Sequence, residues 1–410
     1  MDILPILSTL RRHKITAWLL ILEIALTCAI VCNAVFLIHQ RLQRMDIPSG
    51  IAERELLQIK LAYIGDRPDA YAQAQSDLAT LRQIPGVQAV ALVNQLPLSG
   101  HDMSNSGLKL RANQPDNTLE VASYYGQDLL ATLGVRLVSG RDFRPGELLD
   151  LKTVMPALHG NEMKDLPHTV IVDQAVAARL WPGRDALGQT IYVGNDIPLR
   201  VVGVSASLAR PDDLQQGAQY SIVYPIRLTA AEGGSYVIRT APQDRQQVLK
   251  SALAALKRLD PNRIVLGHGT YGDLRHAFFR DDRAMAGILT GVIVALLTVT
   301  ALGIVGLASF WVGQRRRAIG VRRALGATRG DILRYFQTEN FLLATFGIVL
   351  GMVLAYGINL SLMLHYELPR LPAIYLPVGA IALWLLGQLA VLGPALRAAA
   401  VPPVVATRSV

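Results

Sequence analysis

The chain has 410 residues, of which 51% are hydrophobic and only 17% charged, and its formal net charge is +9. So low a charged fraction argues against a wholly soluble protein. The positive balance calls for an anionic partner, nucleic acid or a membrane surface, and the placement of the arginines decides between them.

The first element is "ITAWLLILEIALTCAIVCNAVFLI", residues 15–38. A helix needs roughly 20 apolar residues to cross a bilayer core, and this run has them. Its apolar core is longer than that of a signal peptide, and no small-x-small cleavage site follows before "HQRLQRM". We therefore read it as a retained anchor that follows an N-terminus (1–14) carrying Arg11, Arg12 and Lys14. Glu23 is the one ionisable residue deep within this span, where a charge is costly. Two readings stand: a polar group in a lateral opening between helices, or a protonated acid bonded to a neighbouring helix. Cys28 and Cys32, one turn apart, suit small packing residues better than a disulfide.

Residues 39–283 are soluble in character and read as one α+β domain. "RELLQIKLAYIG", "DAYAQAQSDLATLRQIPG" and "VQAVALVNQL" give strand, helix, strand. "SYVIRT", "QDRQQVLKSALAALKRLDP" and "NRIVLGHGT" repeat the pattern. Two such units, about 53–99 and 229–275, predict a ferredoxin-like, porter-like sandwich. A strand-rich subdomain, about 100–228, is inserted between them. The stretch "GDLRHAFFRDDR" (272–283) is expected to run on as helix into the second span.

The second, third and fourth spans are expected at 284–313, 338–364 and 373–396, with a basic segment at 314–337 and a tail at 397–410. Gly287/Gly291 and Gly347/Gly351 carry the Gly-x-x-x-Gly spacing that permits close helix contact. Basic residues crowd the short flanks before the first span, between the second and third, and after the fourth, at Arg397 and Arg408. The loop between the third and fourth spans has Arg370 alone. By the positive-inside rule both termini and the basic segment are cytoplasmic, and 39–283 lies on the far side. The basic charge thus serves membrane lipid and not nucleic acid.

Enzymatic motifs are missing from the sequence. There is no Gly-x-x-x-x-Gly-Lys-[Ser/Thr] phosphate loop, no His-Glu-x-x-His or Cys-x-x-Cys metal spacing and no Gly-x-Ser-x-Gly elbow. His101, His159, His168, His268 and His276 are scattered. The chain is therefore expected to be no enzyme, with no catalytic, metal or cofactor site of its own.

The basic segment, "RRRAIGVRRALGATRGDILRYF", holds seven arginines in residues 315–336. Ile319 to Leu325 reads as a short helix with Ile319, Val321 and Leu325 available for packing. Gly326 is its stop, and Thr328 with Asp331 forms a capping box for the helix that becomes the third span.

The order of these residues is specific. "AIGVRRALGATRGDILRYFQTENFLLATFGIVLG" closely resembles the Glu-Ile-Gly-Ile-Arg-x-Ala-Leu-Gly-Ala-Thr segment of the MacB/FtsX/LolC family of ABC transporter permeases, the type VII superfamily. "VIVDQAVAARLWPGRDALGQTIYVG" with "RVVGVSASL" is similar to that family's periplasmic core, and "GPALRAAAVPPVVATRS" to its C-terminal ending. The resemblance implies an inner-membrane permease with four spans and a large periplasmic domain, working by mechanotransmission. It implies a coupling helix, here Ala318, Ile319, Gly320, Val321, Arg322, Arg323, Ala324, Leu325, Gly326, Ala327 and Thr328, seated in a cleft of a separate ATPase dimer that binds ATP and Mg2+. The other partners implied are a second permease copy or an unlike paralogue, a periplasmic adaptor and an outer-membrane channel. The family's Glu before Ile-Gly is Ala318 here, which removes a charged contact and fits one member of an unlike pair.

Two functions follow from the resemblance. One is export or extraction of an amphiphilic, peptide, antibiotic or lipid-linked cargo; the other is signalling to a periplasmic cell-wall hydrolase, as in the FtsX branch. The size of the outer region favours the first. Labelling of single cysteines with an impermeant reagent in intact cells should leave position 329 protected and position 195 reactive. Labelling at 329 from the outside would overturn the topology.

Overall fold

The computed structural model describes residues 14–63, 69–100, 104–160, 166–212, 218–366 and 370–401. Arg11, Arg12, His101 and Arg408 lie outside them, as does the side chain of His159. The chain divides into two units, Met1–Gln43 with Asp281–Val410, and Arg44–Arg280.

The first unit is helical. Helices Lys14–Met45, Arg280–Gln314, Arg329–Tyr366 and Tyr375–Ala399 are long and apolar enough to cross a membrane. Each is longer at one or both ends than its apolar run, because helical hydrogen bonding does not stop where the bilayer does. The third begins at Arg329 rather than 338, and the fourth reaches Ala399.

The first spanning helix packs against the other three. Thr27 and Thr300 share a hydroxyl hydrogen bond of 2.9 Å, and Asn33 Nδ2 donates to the backbone oxygens of Ala29 and Ala355. Close approach is possible because glycines face it. A Cβ on Gly347 would meet Ile24 at 2.8 Å, one on Gly351 would meet the Cys28 Cβ at 2.5 Å, and one on Gly379 the Cys32 Sγ at 2.4 Å. Both cysteines are free and buried there, in the packing role expected of them. Gly287 and Gly291, by contrast, have nothing within 4 Å of a built Cβ, so that spacing makes no helix contact among the described residues. Arg41 pairs with the nearly buried Asp282.

The second unit carries two large sheets and a two-stranded one, in which Leu149–Asp150 pairs with Ile226–Arg227. Strands Leu56–Ala62, Val87–Val93, Ser235–Thr240 and Ile264–Thr270 form an antiparallel sheet with the last strand beside the first and the third beside both first and second. Helices Ala70–Arg82 and Arg245–Leu259 make its two crossovers, which is the ferredoxin-like order. Their apolar stripes, Ala74, Leu78 and Leu81 with Val248, Ala252 and Leu256, bury against Leu57, Ile59, Tyr236 and Ile238. Below this layer Asp77 is fully buried and still satisfied: Arg263 Nη2 and Tyr236 Oη donate to its two oxygens, each at 2.6 Å.

Between Val93 and Ser235 lies a seven-stranded mixed sheet. Strand Thr190–Val193 pairs with Ile197–Ser205, which also pairs with Thr169–Asp173 and Leu137–Gly140, so the sheet curls back on itself. Its interior is filled by Leu108, Val121, Val170, Val172, Ile191, Leu199 and Val201. One core joins the two sheets, with Leu56, Ala91, Val93 and Val237 packed in the same cluster as Tyr124, Ile171 and Val223.

The helix expected to run unbroken through 272–283 is interrupted. Tyr271–Phe278 ends at Phe279, whose buried ring shares a cluster with Leu98 and Ala209, and a new helix starts at Arg280. Holding that ring in the core takes Phe279 out of helical register.

Asp173 caps helix Gln174–Leu180, accepting from the Val176 amide at 2.7 Å. Burial outweighs the amides it accepts and pushes its carboxyl up to about 7. A folded-state value raised above the unfolded one gives stability that is present below about pH 4 and lost as pH climbs through about 7. Asp173→Asn keeps the acceptor and abolishes the titration. Its melting temperature should match wild type near pH 4 and exceed it by several degrees at pH 8, and equal melting at pH 8 would refute the assignment. In the helical unit, Gly351→Val should overpack the seam at about 1–3 kcal/mol and lower thermal stability in detergent, while Gly287→Val should leave it near wild type.

Candidate functional site

The sequence-predicted site residues gather around one short helix. It spans Arg316–Ala324, starting three residues earlier than Ile319 and ending one before Leu325. The second spanning helix stops at Gln314, and Arg315 makes the corner. Just past its C-terminus stands Gly326, whose φ of 102° is costly for a residue with a Cβ. Thr328 then caps the third spanning helix: Asp331 Oδ2 accepts from the Thr328 amide at 2.9 Å, and Thr328 Oγ1 accepts from the Asp331 amide at 3.2 Å. This reciprocal pair fixes the turn between the two helices.

The short helix has two different faces. Ile319 is only 5% exposed and joins Val312, Ile332, Phe336, Ala395 and Ala398 in one cluster. Gly320 is buried beside it. Ile319, expected to pack, does so within the chain and leaves the open face to other residues. The opposite stripe, Ala318, Val321, Arg322 and Leu325, is open, and Leu325 is 84% exposed. Steps of three and four residues put all four on one face of a helix. Arg322 lies over the Tyr335 ring, 5.0 Å from its centre. Ala324, Ala327 and Thr328 complete the segment around the turn.

Two contacts at the ends of the helix were missed in the sequence. Arg315 Nη1 donates to both oxygens of Glu339, at 2.9 and 3.1 Å. The Glu339 side chain is only 2% exposed, so Glu23 is not the sole buried acid of the helical unit. At the other end Arg323 Nη1 donates to the backbone oxygens of Ala399 and Val401. Taking the third span to begin at 338 put Glu339 at an aqueous boundary, where an acid attracts no notice. Its signal was an acid followed at once by an apolar run.

Glu23 lies against Gly303 of the second spanning helix, where a built Cβ would fall 2.8 Å from its Oε2, and its buried Oε1 has no hydrogen-bond partner among the described residues. In the other unit a cavity of about 300 Å3 is bordered by Lys60, Gln95, His268, Asp273 and Leu274. Among the described residues no three His, Cys, Asp or Glu side chains approach as a metal set would.

Residues 290–403 match the FtsX-like permease C-terminal family, and residues 23–256, more than half of the chain, match the MacB-like periplasmic core domain. The chain belongs to the MacB/FtsX-like ABC permeases. Among curated relatives, the macrolide export ATP-binding/permease protein MacB 1/2 of Paracoccus denitrificans is 23% identical over 369 residues, covering 87% of this chain and 50% of that protein. MacB of Acinetobacter baylyi is 24% identical over 227 residues, covering 54% of this chain and 33% of the relative. The chain thus spans between a third and a half of the length of these relatives. The crystal structure of the periplasmic region of MacB from Actinobacillus actinomycetemcomitans aligns at 14% identity and a TM-score of 0.34, over 57% of this chain and 97% of that one. As a permease of this family the chain is a multi-pass membrane protein whose Arg44–Arg280 unit is of the periplasmic core type.

Proposed function

We propose that this chain is the permease subunit of an ABC transporter that works by mechanotransmission. ATP and Mg2+ are bound by a separate ATPase dimer, which docks on the exposed stripe Ala318, Val321, Arg322 and Leu325. The observation that carries the reading is the division of the short helix. One face is spent on the ends of the spanning helices, and the other leaves Leu325, a large apolar side chain, 84% exposed at its tip. An exposed leucine at the end of a basic helix fits an apolar cleft with an acidic rim. Ala318 stands on that same open face, so the loss of the family's Glu alters the docking surface and leaves the interior unchanged. This suits a pairing with an unlike permease that keeps the acid.

In this reading both termini and the short helix are cytoplasmic, and the core domain is periplasmic in the inner membrane. Closure of the ATPase dimer displaces the short helix, the spanning helices follow, and the core domains move. The cargo is an amphiphile exported or extracted at the periplasmic side; the names of the relatives favour antibiotics of macrolide type. A periplasmic adaptor and an outer-membrane channel would complete an export path.

Leu325→Asp tests the docking face. The position is exposed, so the fold and membrane insertion should be kept, while burying an unpaired charge in a cleft costs roughly 3–5 kcal/mol. Co-purification of the ATPase that wild type retains should fall at least a hundredfold, and ATP turnover of the membrane complex should fall with it. Full retention of the ATPase by Leu325→Asp would overturn the assignment.

A further inference from the structure

We infer that Arg315, Glu339 and Arg323 are positioning residues that clamp the short helix at both ends, making it a rigid lever on the third and fourth spanning helices. The inference rests on the permease reading only for the meaning of the lever; the clamp itself stands on geometry.

Arg315, Ile319 and Arg323 are four residues apart in turn, so they fall on one stripe of the helix. The two arginines are separated by about 12 Å at a rise of about 1.5 Å per residue. Each end is tied to a different element. Arg315 bonds both oxygens of Glu339 in the third spanning helix, and its guanidinium lies 5.6 Å from the centre of the Trp311 ring. Arg323 reaches the carbonyls of Ala399 and Val401 at the end of the fourth. The Ala399 carbonyl is the last of that helix and Val401 lies just past it; at a helix C-terminus backbone acceptors lack intrahelical partners and the dipole is negative, so a cation fits there. Ile319, midway, is buried in the cluster built from Val312, Ile332, Phe336 and Ala395.

Apolar packing alone would hold such a helix down. A buried ion pair adds little net stability over a packed apolar pair, but it fixes direction and register, because an uncompensated buried charge results from any other placement. The link from Arg315 Nη1 to both Glu339 oxygens at one end and the carbonyl link at the other prevent the helix from rolling about Ile319. A push on Leu325 is then delivered to the ends of two spanning helices at once.

Hydrogen–deuterium exchange on the full chain in lipid nanodiscs tests the clamp without any ATPase. Glu339→Gln and, independently, Arg323→Gln should each speed exchange in residues 316–325 at least tenfold, while residues 341–357 stay protected. The exchanged pair Arg315→Glu with Glu339→Arg should restore protection, which a merely structural loss at Glu339 would not do. Arg323 is half-buried and its Nη1 bonds backbone carbonyls, not a buried carboxylate, so its variant reports even if Glu339→Gln fails to fold. Wild-type exchange in 316–325 for Arg323→Gln would overturn the clamp. In the complex with the ATPase, the ATP-dependent change in exchange of the third spanning helix, per ATP hydrolysed, should fall at least fivefold in Glu339→Gln. An unaltered ratio would overturn the lever. If wild type retains no ATPase at all, the permease reading fails, and the nucleotide-free exchange still decides the clamp.

Discussion

A helix of nine residues has too few internal hydrogen bonds to persist alone in water. The helix Arg316–Ala324 therefore exists because one of its faces is buried. That constraint organises everything around it. Ile319 supplies the anchor, the turn at Gly326 and the Thr328–Asp331 cap fix its exit, and the arginines that cannot be buried alone are each given an acceptor. What is left over, the stripe ending at Leu325, is free because the anchor lies on the other side.

The spanning helices answer a different problem. In a bilayer there is little hydrophobic gain in bringing apolar helices together, so contact depends on close fit and on internally satisfied polar groups. The first spanning helix meets both terms. Glycines 347, 351 and 379 present bare backbone to it, and Thr27 and Asn33 find partners on neighbouring helices. Close backbone approach is a poor place for added volume, which makes this seam the most mutation-sensitive part of the helical unit.

The unit Arg44–Arg280 is built so that distant segments share one core. The four-stranded sheet is completed only when Ser235–Thr240 returns to lie between Leu56–Ala62 and Val87–Val93, after the whole second sheet has been made. Such long-range pairing is slow to form but leaves both sheets packed on the same side chains. Asp77 and Asp173 sit beneath these layers as buried acids that are held by hydrogen bonds.

The sequence by itself determined the features that are one-dimensional. A bilayer sets a length, and four apolar runs of that length are visible without a fold. The two strand–helix–strand patterns and the Thr328–Asp331 spacing are likewise local. Tertiary structure alone decided which face of the short helix is open, since Ile319 and Leu325 are equally apolar in sequence and only Ile319 meets Ile332, Phe336 and Ala395. It also decided that Gly351 is a contact and Gly287 is not, although both carry the same spacing. The Arg315–Glu339 pair was beyond reach for the same reason. Arg315 stands at the corner before the short helix and Glu339 in the third spanning helix, and no rule of spacing within one helix brings them together. Only the packing that brings the two helices side by side, and withdraws Glu339 from water, makes an unremarked acid the partner that this arginine requires.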